Sequence, residues 1–350
     1  MNLPVQGVSN LKEIDPLSHM TRFMEIFNCP RCKGSLNRQS SKIICLQCSH
    51  PYPIEGEIPL LYTPNEWNPS RNDVTDTIRA FYEETPFPNY DGIEDVGDLI
   101  EVSRKGIFAR LLNEQMPYNS RVLEIGCGTG QLSNYLSVAH RFVFGADLCL
   151  NSLKLAQRFK KQHQLDRVGF YQINLFNPPF KEESFHFVIS NGVLHHTSDP
   201  YLGFKSISRL VKKGGYILIG LYNRYGRIPT DVRRVLFRAF HNRFKRLDPR
   251  LSRKDISDLK KNTWFMDQYQ NPHESKHTME EVLRWFDDTG FEFMSSIPKL
   301  GFFEDFSENE QLFEPSTRGN WFTQLLAQLF LIITGNESGG FFLMIGKRIR

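Results

Sequence analysis

Short apolar runs alternate with segments of helical periodicity through the middle of the chain. Between the runs, apolar residues recur at the three- and four-residue spacing of a buried helix face. The runs that predict strands are residues 121–125, 141–147, 168–174, 185–190 and 216–221, and the segments that predict helices are 131–138, 151–161, 200–214 and 278–289. Strands that alternate with helices in this way predict an α/β fold with a parallel sheet.

Three glycines follow the first predicted strand at every second position. They are Gly126, Gly128 and Gly130, and Gln131 comes next. Glycine permits positive φ and lets a ligand lie against backbone N–H groups at a helix N-terminus, so a bulky and partly anionic ligand is expected there. The dinucleotide fingerprint G-x-G-x-x-G requires its third glycine at position 131, where the chain has glutamine.

The spacing Glu124-x-Gly126-x-Gly128-x-Gly130 instead resembles the first motif of the class I methyltransferases that use S-adenosylmethionine. Asn191-Gly-Val-Leu-His-His-Thr-Ser-Asp-Pro after the fourth strand, and Gly214-Gly215 before the fifth, resemble the small-molecule enzymes of that family. The resemblance covers residues 121–221. It implies a Rossmann-like sheet of seven strands, in which 291–297 and 341–347 pair antiparallel at one edge.

The resemblance also implies where the cofactor binds. Asp147 would accept the ribose hydroxyls, Glu124 would support the methionine end, and Asn174 would accept a hydrogen bond from the adenine amine where the family usually has aspartate. The full set of expected cofactor residues is Glu124, Gly126, Cys127, Gly128, Gly130, Asp147, Leu148, Asn174, Leu175 and Asn191.

Two histidines lie where a methyl acceptor would approach the cofactor. Imidazole is a plausible general base near neutral pH, so His195 and His196 are the candidate catalytic residues. Adjacent side chains of an extended segment point to opposite sides, so at most one should face the cleft. In the alternative interpretation one of them braces the following helix, and many relatives with this segment need no dedicated base.

Asn177-Pro-Pro-Phe180 has the letters of the catalytic tetrapeptide of amino-N-methyltransferases that act on nucleic-acid bases. In those enzymes the tetrapeptide follows the fourth strand. Here it precedes that strand, so we discount a catalytic role.

Four of the six cysteines have the spacing of a metal site. Cys29, Cys32, Cys45 and Cys48 form Cys-x2-Cys-x12-Cys-x2-Cys, which predicts a structural Zn²⁺ held by four thiolates. A redox pair needs only one such motif. His50 could replace one thiolate, although four cysteines suffice, and Cys127 and Cys149 are expected to be structural.

The sequence around these cysteines, about 20–62, resembles the small zinc-ribbon module that activates several RNA and protein methyltransferases. That resemblance implies that the module stabilises the catalytic domain by covering apolar surface. Guanine methyltransferases of ribosomal RNA also carry an N-terminal zinc finger, which keeps an RNA substrate open. The expected divisions are a ribbon at 1–64, an aromatic linker at 65–118, core strands at 119–223, a basic helical lid at 224–277, and the rest of the core at 278–350 with an insertion at 298–340.

Aromatic residues of the linker have two interpretations. Phe81, Tyr82, Phe87 and Tyr90 could wall the cofactor pocket, where aromatic faces attract a sulfonium. Alternatively, they pack the linker helix at 73–83 onto the core, and we favour this interpretation for each residue.

Charge is concentrated in the lid. Residues 224–261 hold thirteen Lys and Arg against four Asp and Glu, in a chain of formal net charge +4. The interpretations are a solvated helix, a site for an acidic small molecule or carrier-bound phosphate, and an RNA-binding surface. The segment contains few aromatic residues that could stack on bases.

The most apolar helix candidate is 321–334. It is too short to span a bilayer, and we favour a packed helix over an interfacial anchor. The N-terminus has no basic region followed by an apolar one, so no signal peptide is expected, and the protein should be cytoplasmic.

We therefore expect an S-adenosylmethionine-dependent methyltransferase that acts on a small-molecule or carrier-bound metabolite. The alternative substrate is RNA, bound through the basic segment 224–261. The alternative from another class is a cofactor-binding partner of another methyltransferase that has no turnover of its own.

Overall fold

The computed structural model of the 350-residue chain describes residues 17–67, 72–241, 244–301, 307–335 and 338–350. The strands in this part of the chain are β1 Leu36–Arg38, β2 Lys42–Cys45, β3 Pro51–Glu55, β4 Ile58–Leu61, β5 Arg121–Ile125, β6 Phe142–Asp147, β7 Val168–Ile173, β8 Phe185–Asn191, β9 Val211–Tyr222, β10 Phe291–Ile297 and β11 Phe341–Arg348.

Helices lie between and beside these strands. They are α1 Ser18–Arg22, α2 Thr75–Glu84, α3 Val96–Lys105, α4 Ile107–Gln115, α5 Gln131–Val138, α6 Leu150–Gln162, α7 Pro200–Ser208, α8 Ile228–Ala239, α9 Pro249–Ser252, α10 Asp258–Phe265, α11 Met279–Thr289 and α12 Trp321–Thr334. A π-helical turn, Met266–Gln270, continues α10, and a 3₁₀ turn, Leu194–His196, follows β8.

All the described strands form one sheet in the order β1-β2-β3-β4-β7-β6-β5-β8-β9-β11-β10. Strands β4 to β9 run parallel, and β11 pairs antiparallel with both β9 and β10. The chain proceeds outward from β5 in one direction and then returns to β8 on its other side. This reversal creates a crevice at the carboxyl ends of β5 and β8, where open α/β sheets bind their ligands.

The seven-stranded α/β core predicted from the sequence is confirmed, with one boundary in error. Helix α7 ends at Ser208 and not at residue 214. Strand β9 already begins at Val211, which pairs with Phe185, and Gly214 lies within that strand with a φ of +79°. Pairing with β8 therefore ends the helix earlier than its apolar periodicity predicts.

The N-terminal ribbon is part of the sheet. Strand β4 pairs in parallel with β7, with Leu60 opposite Gln172 and Leu61 opposite Ile173. Buried ribbon residues such as Tyr52 belong to the same apolar core as Phe144 of β6. Covering this apolar face is the role that the resemblance implies for such a module.

The discounted Asn-Pro-Pro-Phe tetrapeptide holds the ribbon in place. The Asn28 N–H donates to the Pro179 carbonyl at 3.0 Å, and the Lys181 N–H donates to the Ile26 carbonyl at 2.8 Å. Phe180 is buried in the shared core. This position explains the apolar letters of the motif without a catalytic role.

The sequence predicts that α12 is a packed helix, which would turn its apolar side chains toward the core, but α12 turns most of them outward. Its inward face carries Gln324, Gln328 and Leu331, whereas most of its large apolar side chains are exposed. Gln328 is fully buried because its amide accepts hydrogen bonds from the Asn223 side chain and the Met279 N–H, both at 2.9 Å. Within the described residues, no helix is both long and apolar enough to cross a membrane.

Candidate active site

A cavity of about 630 Å³ occupies the crevice at the carboxyl ends of the parallel strands. Nine of the ten expected cofactor residues line it: Glu124, Gly126, Cys127, Gly128, Asp147, Leu148, Asn174, Leu175 and Asn191. The tenth, Gly130, lies behind the turn, where a Cβ would come within 2.6 Å of the Ala156 side chain. A larger groove of about 790 Å³ lies between the ribbon and the core, but none of the expected cofactor residues lines it.

The glycine turn brings the backbone to the cavity wall. Gly126 has a φ of +73°, and a Cβ there would lie 2.1 Å from a methyl group of Val193. Gly128 has a φ of +52°, and a Cβ there would lie 2.1 Å from the Phe87 carbonyl. Both positions therefore exclude any side chain, and the turn presents backbone N–H groups where α5 begins.

Two acidic side chains meet at this turn. Asp147 accepts the Gly128 N–H at 2.7 Å and the Cys149 N–H at 2.8 Å. Burial raises the pKa of Asp147, and these N–H donors lower it in part. Burial also raises the pKa of Glu124 to about 8, although its carboxyl group accepts a hydrogen bond from Ser133. The ribose contact of Asp147 and the methionine contact of Glu124 stay predictions.

Asn174 uses both ends of its amide in this structure. Its Nδ2 donates to the Thr63 carbonyl at 3.0 Å and to Asn65 Oδ1 at 2.7 Å, and its Oδ1 accepts the Phe176 N–H at 3.0 Å. An aspartate has no N–H to donate. Asparagine at this position therefore ties the end of the ribbon to the cofactor cavity, and its contact with adenine remains a prediction.

This tie predicts that Asn174→Asp destabilises the protein. The new carboxylate would face two acceptors in a buried position, so we expect the free energy of unfolding to fall by about 2–3 kcal/mol. The measurement is a denaturant titration. Asn177→Asp is the matched control, since that side chain lines the open groove. Equal stability of the two variants would contradict the prediction.

The linker aromatics divide between the two interpretations. Tyr82 and Phe87 line the cavity. Tyr90 instead stacks on Phe159 with 4.9 Å between ring centroids and donates to the Thr129 carbonyl at 2.8 Å. Phe81 is not part of the cavity wall. The cavity therefore has two aromatic walls from this segment, and Tyr90 packs the linker onto the core.

The two candidate histidines have different surroundings. They lie in a 3₁₀ turn and not in the extended segment from which we argued. His196 lines the cavity. His195 lies behind the cavity wall with its ring 4.2 Å from that of Tyr222, and neither of its ring nitrogens has a hydrogen-bond partner among the described residues. The structure thus places only His196 within reach of a substrate.

The hydrogen bonding of His196 determines its tautomer. Its Nδ1 lies 2.8 Å from the carbonyl oxygen of His273, which can only accept, so Nδ1 carries the proton. In the neutral ring Nε2 then holds the free lone pair. Burial lowers the pKa of His196, although the nearby Asp267 carboxylate opposes this change. The ring is therefore neutral at pH 7.

Sequence reasoning missed an acidic group near His196 in the cavity wall. Asp267, on the π-helical turn, accepts a hydrogen bond from Tyr82 at 2.8 Å and another from Tyr222 at 3.4 Å. Gln268 donates to Asp267 at 2.8 Å. These four residues and His196 line the same cavity. The detectable signal was Asp-Gln-Tyr-Gln directly after an apolar Trp-Phe-Met run, a polar segment on an otherwise buried helix.

Buried ion pairs fix the lid behind this group. Arg227 is fully buried, pairs with Glu274 at 2.5 Å, and lies 3.7 Å from the ring centroid of Tyr222. Burial alone would raise the pKa of Glu274, but Arg227 and Arg234 lower it to about 2. Some of the arginines of the basic segment 224–261 are therefore buried in ion pairs and are not on the surface. These ion pairs hold the lid residues that line the cavity.

The four ribbon cysteines form one cluster. Their sulfur atoms all lie within 4.8 Å of one another, with 3.8 Å between Cys29 and Cys48 and 3.4 Å between Cys32 and Cys45. Four thiolates at about 2.3 Å from one Zn²⁺ in tetrahedral geometry would be about 3.8 Å apart. Tyr52 Oη lies 3.0 Å from Cys29 Sγ and can support that ligand. The donor set fits a structural zinc ion.

Comparisons with known families match two parts of the chain. Residues 123–219 match the family model described as a methyltransferase domain, and residues 21–57 match the model described as Trm112p-like protein. The first match contains the glycine turn, Asp147 and both histidines, and the second contains the four cysteines.

The most similar curated proteins include two whose names state an activity. The chain is 32% identical to a ubiquinone biosynthesis O-methyltransferase of Paracidovorax citrulli over 30% of this chain and 44% of that protein. It is 28% identical to a demethylmenaquinone methyltransferase of Lactococcus lactis over 47% of this chain and 63% of that protein. An uncharacterised protein of Synechococcus is 26% identical over 50% of this chain and 48% of that protein. The chain spans about half the length of these relatives.

Solved structures include the Haloferax volcanii Trm112 methyltransferase activator in complex with a proposed methyltransferase, with a TM-score of 0.42, 15% identity, and coverage of 73% of this chain and 98% of that one. An S-adenosylmethionine-dependent methyltransferase of Mesorhizobium loti has a TM-score of 0.44 and 15% identity, over 70% of this chain and all of that one. The family matches, the sheet order and the cysteine cluster agree: the chain contains a methyltransferase domain over residues 123–219 and a Trm112p-like domain with four clustered cysteines over residues 21–57.

Proposed function

We propose that the protein transfers a methyl group from S-adenosylmethionine to a hydroxyl group of a small-molecule or carrier-bound metabolite. The observation that carries this proposal is that one cavity is lined by the glycine turn, Asp147 and His196, whose Nδ1 is bonded to the His273 carbonyl so that Nε2 keeps its lone pair. The O-methyltransferase and menaquinone relatives support a small-molecule acceptor.

In this proposal one group of cavity residues binds the cofactor and another binds and deprotonates the acceptor. S-adenosylmethionine supplies an electrophilic sulfonium methyl, so the protein mainly orients the acceptor and removes its proton. Asp147 and the glycine turn hold the nucleoside and methionine portions. His196 Nε2 accepts the proton of the acceptor hydroxyl, and Asp267 stabilises the imidazolium that forms. Tyr82 and Tyr222 fix the Asp267 carboxylate and shape the acceptor end.

A hydroxyl acceptor follows from the state of this histidine. An amine acceptor must already be unprotonated to attack, whereas a phenol or enol gains nucleophilicity when a neighbouring base takes its proton. A neutral imidazole with its lone pair toward the cavity supplies such a base. The lid contributes Trp264 and Gln268 to the cavity wall, and a cavity of about 630 Å³ suits a compact acceptor.

The first test is calorimetric titration of the zinc-loaded protein with S-adenosylmethionine. We expect Asp147→Ala to weaken binding by at least about a hundredfold, because two hydrogen bonds to a charged group are lost. Asp166→Ala is the control, since Asp166 is exposed and outside the cavity. Absence of binding by the wild type would overturn the proposal of a stand-alone enzyme.

The second test identifies the class of acceptor. Protein with labelled methyl donor is incubated separately with the small-molecule fraction and with the RNA of a cell extract. We expect label in small molecules, in products that resist dilute acid and base as aryl methyl ethers do. Label in RNA alone would overturn the proposed acceptor while leaving the methyltransferase assignment intact.

A further inference from the structure

The exposed apolar side chains are concentrated on one part of the molecule. Most large apolar side chains that are exposed in the described part of the chain lie between residues 228 and 333; those elsewhere are Leu46, Val102, Tyr118 and Ile349. Exposed apolar side chains that gather into a patch mark an interaction site.

Helix α12 supplies the larger share of this surface. Its sequence has no charged residue, and it turns its glutamines inward. Trp321 is 72% exposed and Phe330 is 62% exposed. The outward residues recur with helical spacing, so they form a single stripe: Trp321, Phe322, Leu326, Leu329 and Phe330.

Helix α8 adds a second stripe. Ile228, Val232 and Val235 are exposed and recur at four- and three-residue spacing. The segment just before α8 lies against α12, because a Cβ on Gly226 would be 2.9 Å from the Leu331 side chain. We define the docking face as these residues together with the outward stripe of α12.

Basic residues adjoin the docking face. Arg238 lies on α8, and Lys245, Arg246 and Lys254 follow it along the lid; all four are exposed. The buried arginines of the same segment are already paired with Glu274 and Asp248. Lys245 lies over the Phe265 ring, with its Nζ 3.9 Å from the ring centroid, so Arg238, Arg246 and Lys254 are the cations offered to an external partner.

We propose that the docking face binds an anionic lipid bilayer, with α12 lying in the plane of the headgroups. An uncharged helix with aromatic and aliphatic residues outward, beside lysines and arginines, combines the two forces that hold peripheral proteins on membranes. RNA would reward the cations but not the apolar stripes. A second copy of the chain would bring like charges together.

The docking-face residues do not line the active-site cavity, but neighbouring segments of the lid and of the chain after α12 do. Trp264 and Gln268 of the lid and Ser338, just after α12, line that cavity. A bilayer-dissolved acceptor would therefore meet the cavity close to where the protein docks. This delivery step rests on the proposed function, whereas docking does not, so the experiment measures docking alone.

The test is cosedimentation of the full zinc-loaded protein with vesicles of phosphatidylglycerol and phosphatidylcholine, compared with pure phosphatidylcholine. We expect binding to the anionic vesicles that weakens as salt rises, and a blue shift of tryptophan emission. Trp321 would give this shift, because Trp264 and Trp285 are buried and Trp67 is half-buried. Binding in the triple variant Phe322→Ser, Leu326→Ser, Phe330→Ser should fall by at least about tenfold.

The matched control is Leu46→Ser with Tyr118→Ser, which removes exposed apolar side chains elsewhere. It should bind as the wild type does, and all variants should keep the wild-type melting temperature. Docking is refuted if the wild type ignores anionic vesicles, or if the triple variant binds them equally. It is also refuted if the wild type forms a dimer that does not bind vesicles and the triple variant loses that dimer, because the face would then join two copies of the chain. Complete displacement of vesicles by RNA from both the wild type and the triple variant would refute it as well.

Discussion

His196→Asn is expected to lower kcat/KM for methyl transfer by about 10²- to 10⁴-fold, the usual contribution of a general base. Asparagine can keep a donor toward the His273 carbonyl, so the turn after β8 should hold its conformation. What is lost is the free Nε2 lone pair that faces the cavity. Affinity for S-adenosylmethionine should stay within about threefold of the wild type, because His196 is not one of the expected cofactor residues.

The neighbouring histidine is the control for this variant. His195 packs on Tyr222 behind the cavity wall, so His195→Asn should change stability more than rate. Its kcat/KM should remain within about tenfold of the wild type. A loss of rate in His195→Asn equal to that in His196→Asn would show that the turn acts only as a structural unit, and the base assignment would fail.

The pH dependence of kcat/KM tests the role of His196 in the wild-type protein, where no substitution has changed its surroundings. Because burial lowers the pKa of His196 below 6.5, the ring stays neutral to lower pH than a free histidine does. The wild-type kcat/KM should therefore rise with pH to a plateau, with its midpoint below pH 6.5, and lose activity only as pH falls through the lowered pKa. His196→Asn should lack this acid limb. A midpoint above 6.5, or a limb that persists in the variant, would contradict the assignment.

Local signals accounted for the core and for most of the cofactor site. The glycine turn, Asp147 and the strands around them follow from apolar runs, turn residues and a chain-order motif, all of which act over a few residues. The capping box at Thr278 and Glu281, and the left-handed Gly290 that ends α11, likewise depend only on neighbours in sequence.

The acceptor end could not be derived in this way. Asp267 accepts a hydrogen bond from Tyr82, which is 185 residues away in sequence. Its position depends on the π-helical turn Met266–Gln270, in which the Gln268 carbonyl accepts a hydrogen bond from Arg227. The burial of Gln328 likewise follows from its hydrogen bonds with Asn223 and Met279, which no local pattern of α12 reveals. Long-range hydrogen-bond satisfaction determined these positions, against the apolar periodicity.

Removal of zinc is expected to destabilise the whole protein and not the ribbon alone. Zinc binding contributes on the order of 10 kcal/mol to the folding of small zinc modules, comparable to the total stability of a domain. Here β4 is a strand of the common sheet, and Phe27 and Tyr52 share a core with Phe144. Unfolding of the ribbon would expose that core. Scanning calorimetry of the chelator-treated protein, or of Cys45→Ser, should show one transition at a much lower temperature.

His50→Ala is the matched control for the metal site, since His50 is next to the ribbon cysteines but contacts Tyr52 through its ring. It should keep one zinc per chain by atomic absorption and the wild-type transition. Two separate transitions in Cys45→Ser, with the upper one unchanged, would show that the core folds without the ribbon. The structure argues otherwise, because the Asn174 amide binds Thr63 and Asn65 from the wall of the cofactor cavity. Loss of zinc should therefore also weaken binding of S-adenosylmethionine, although no ribbon cysteine lines that cavity.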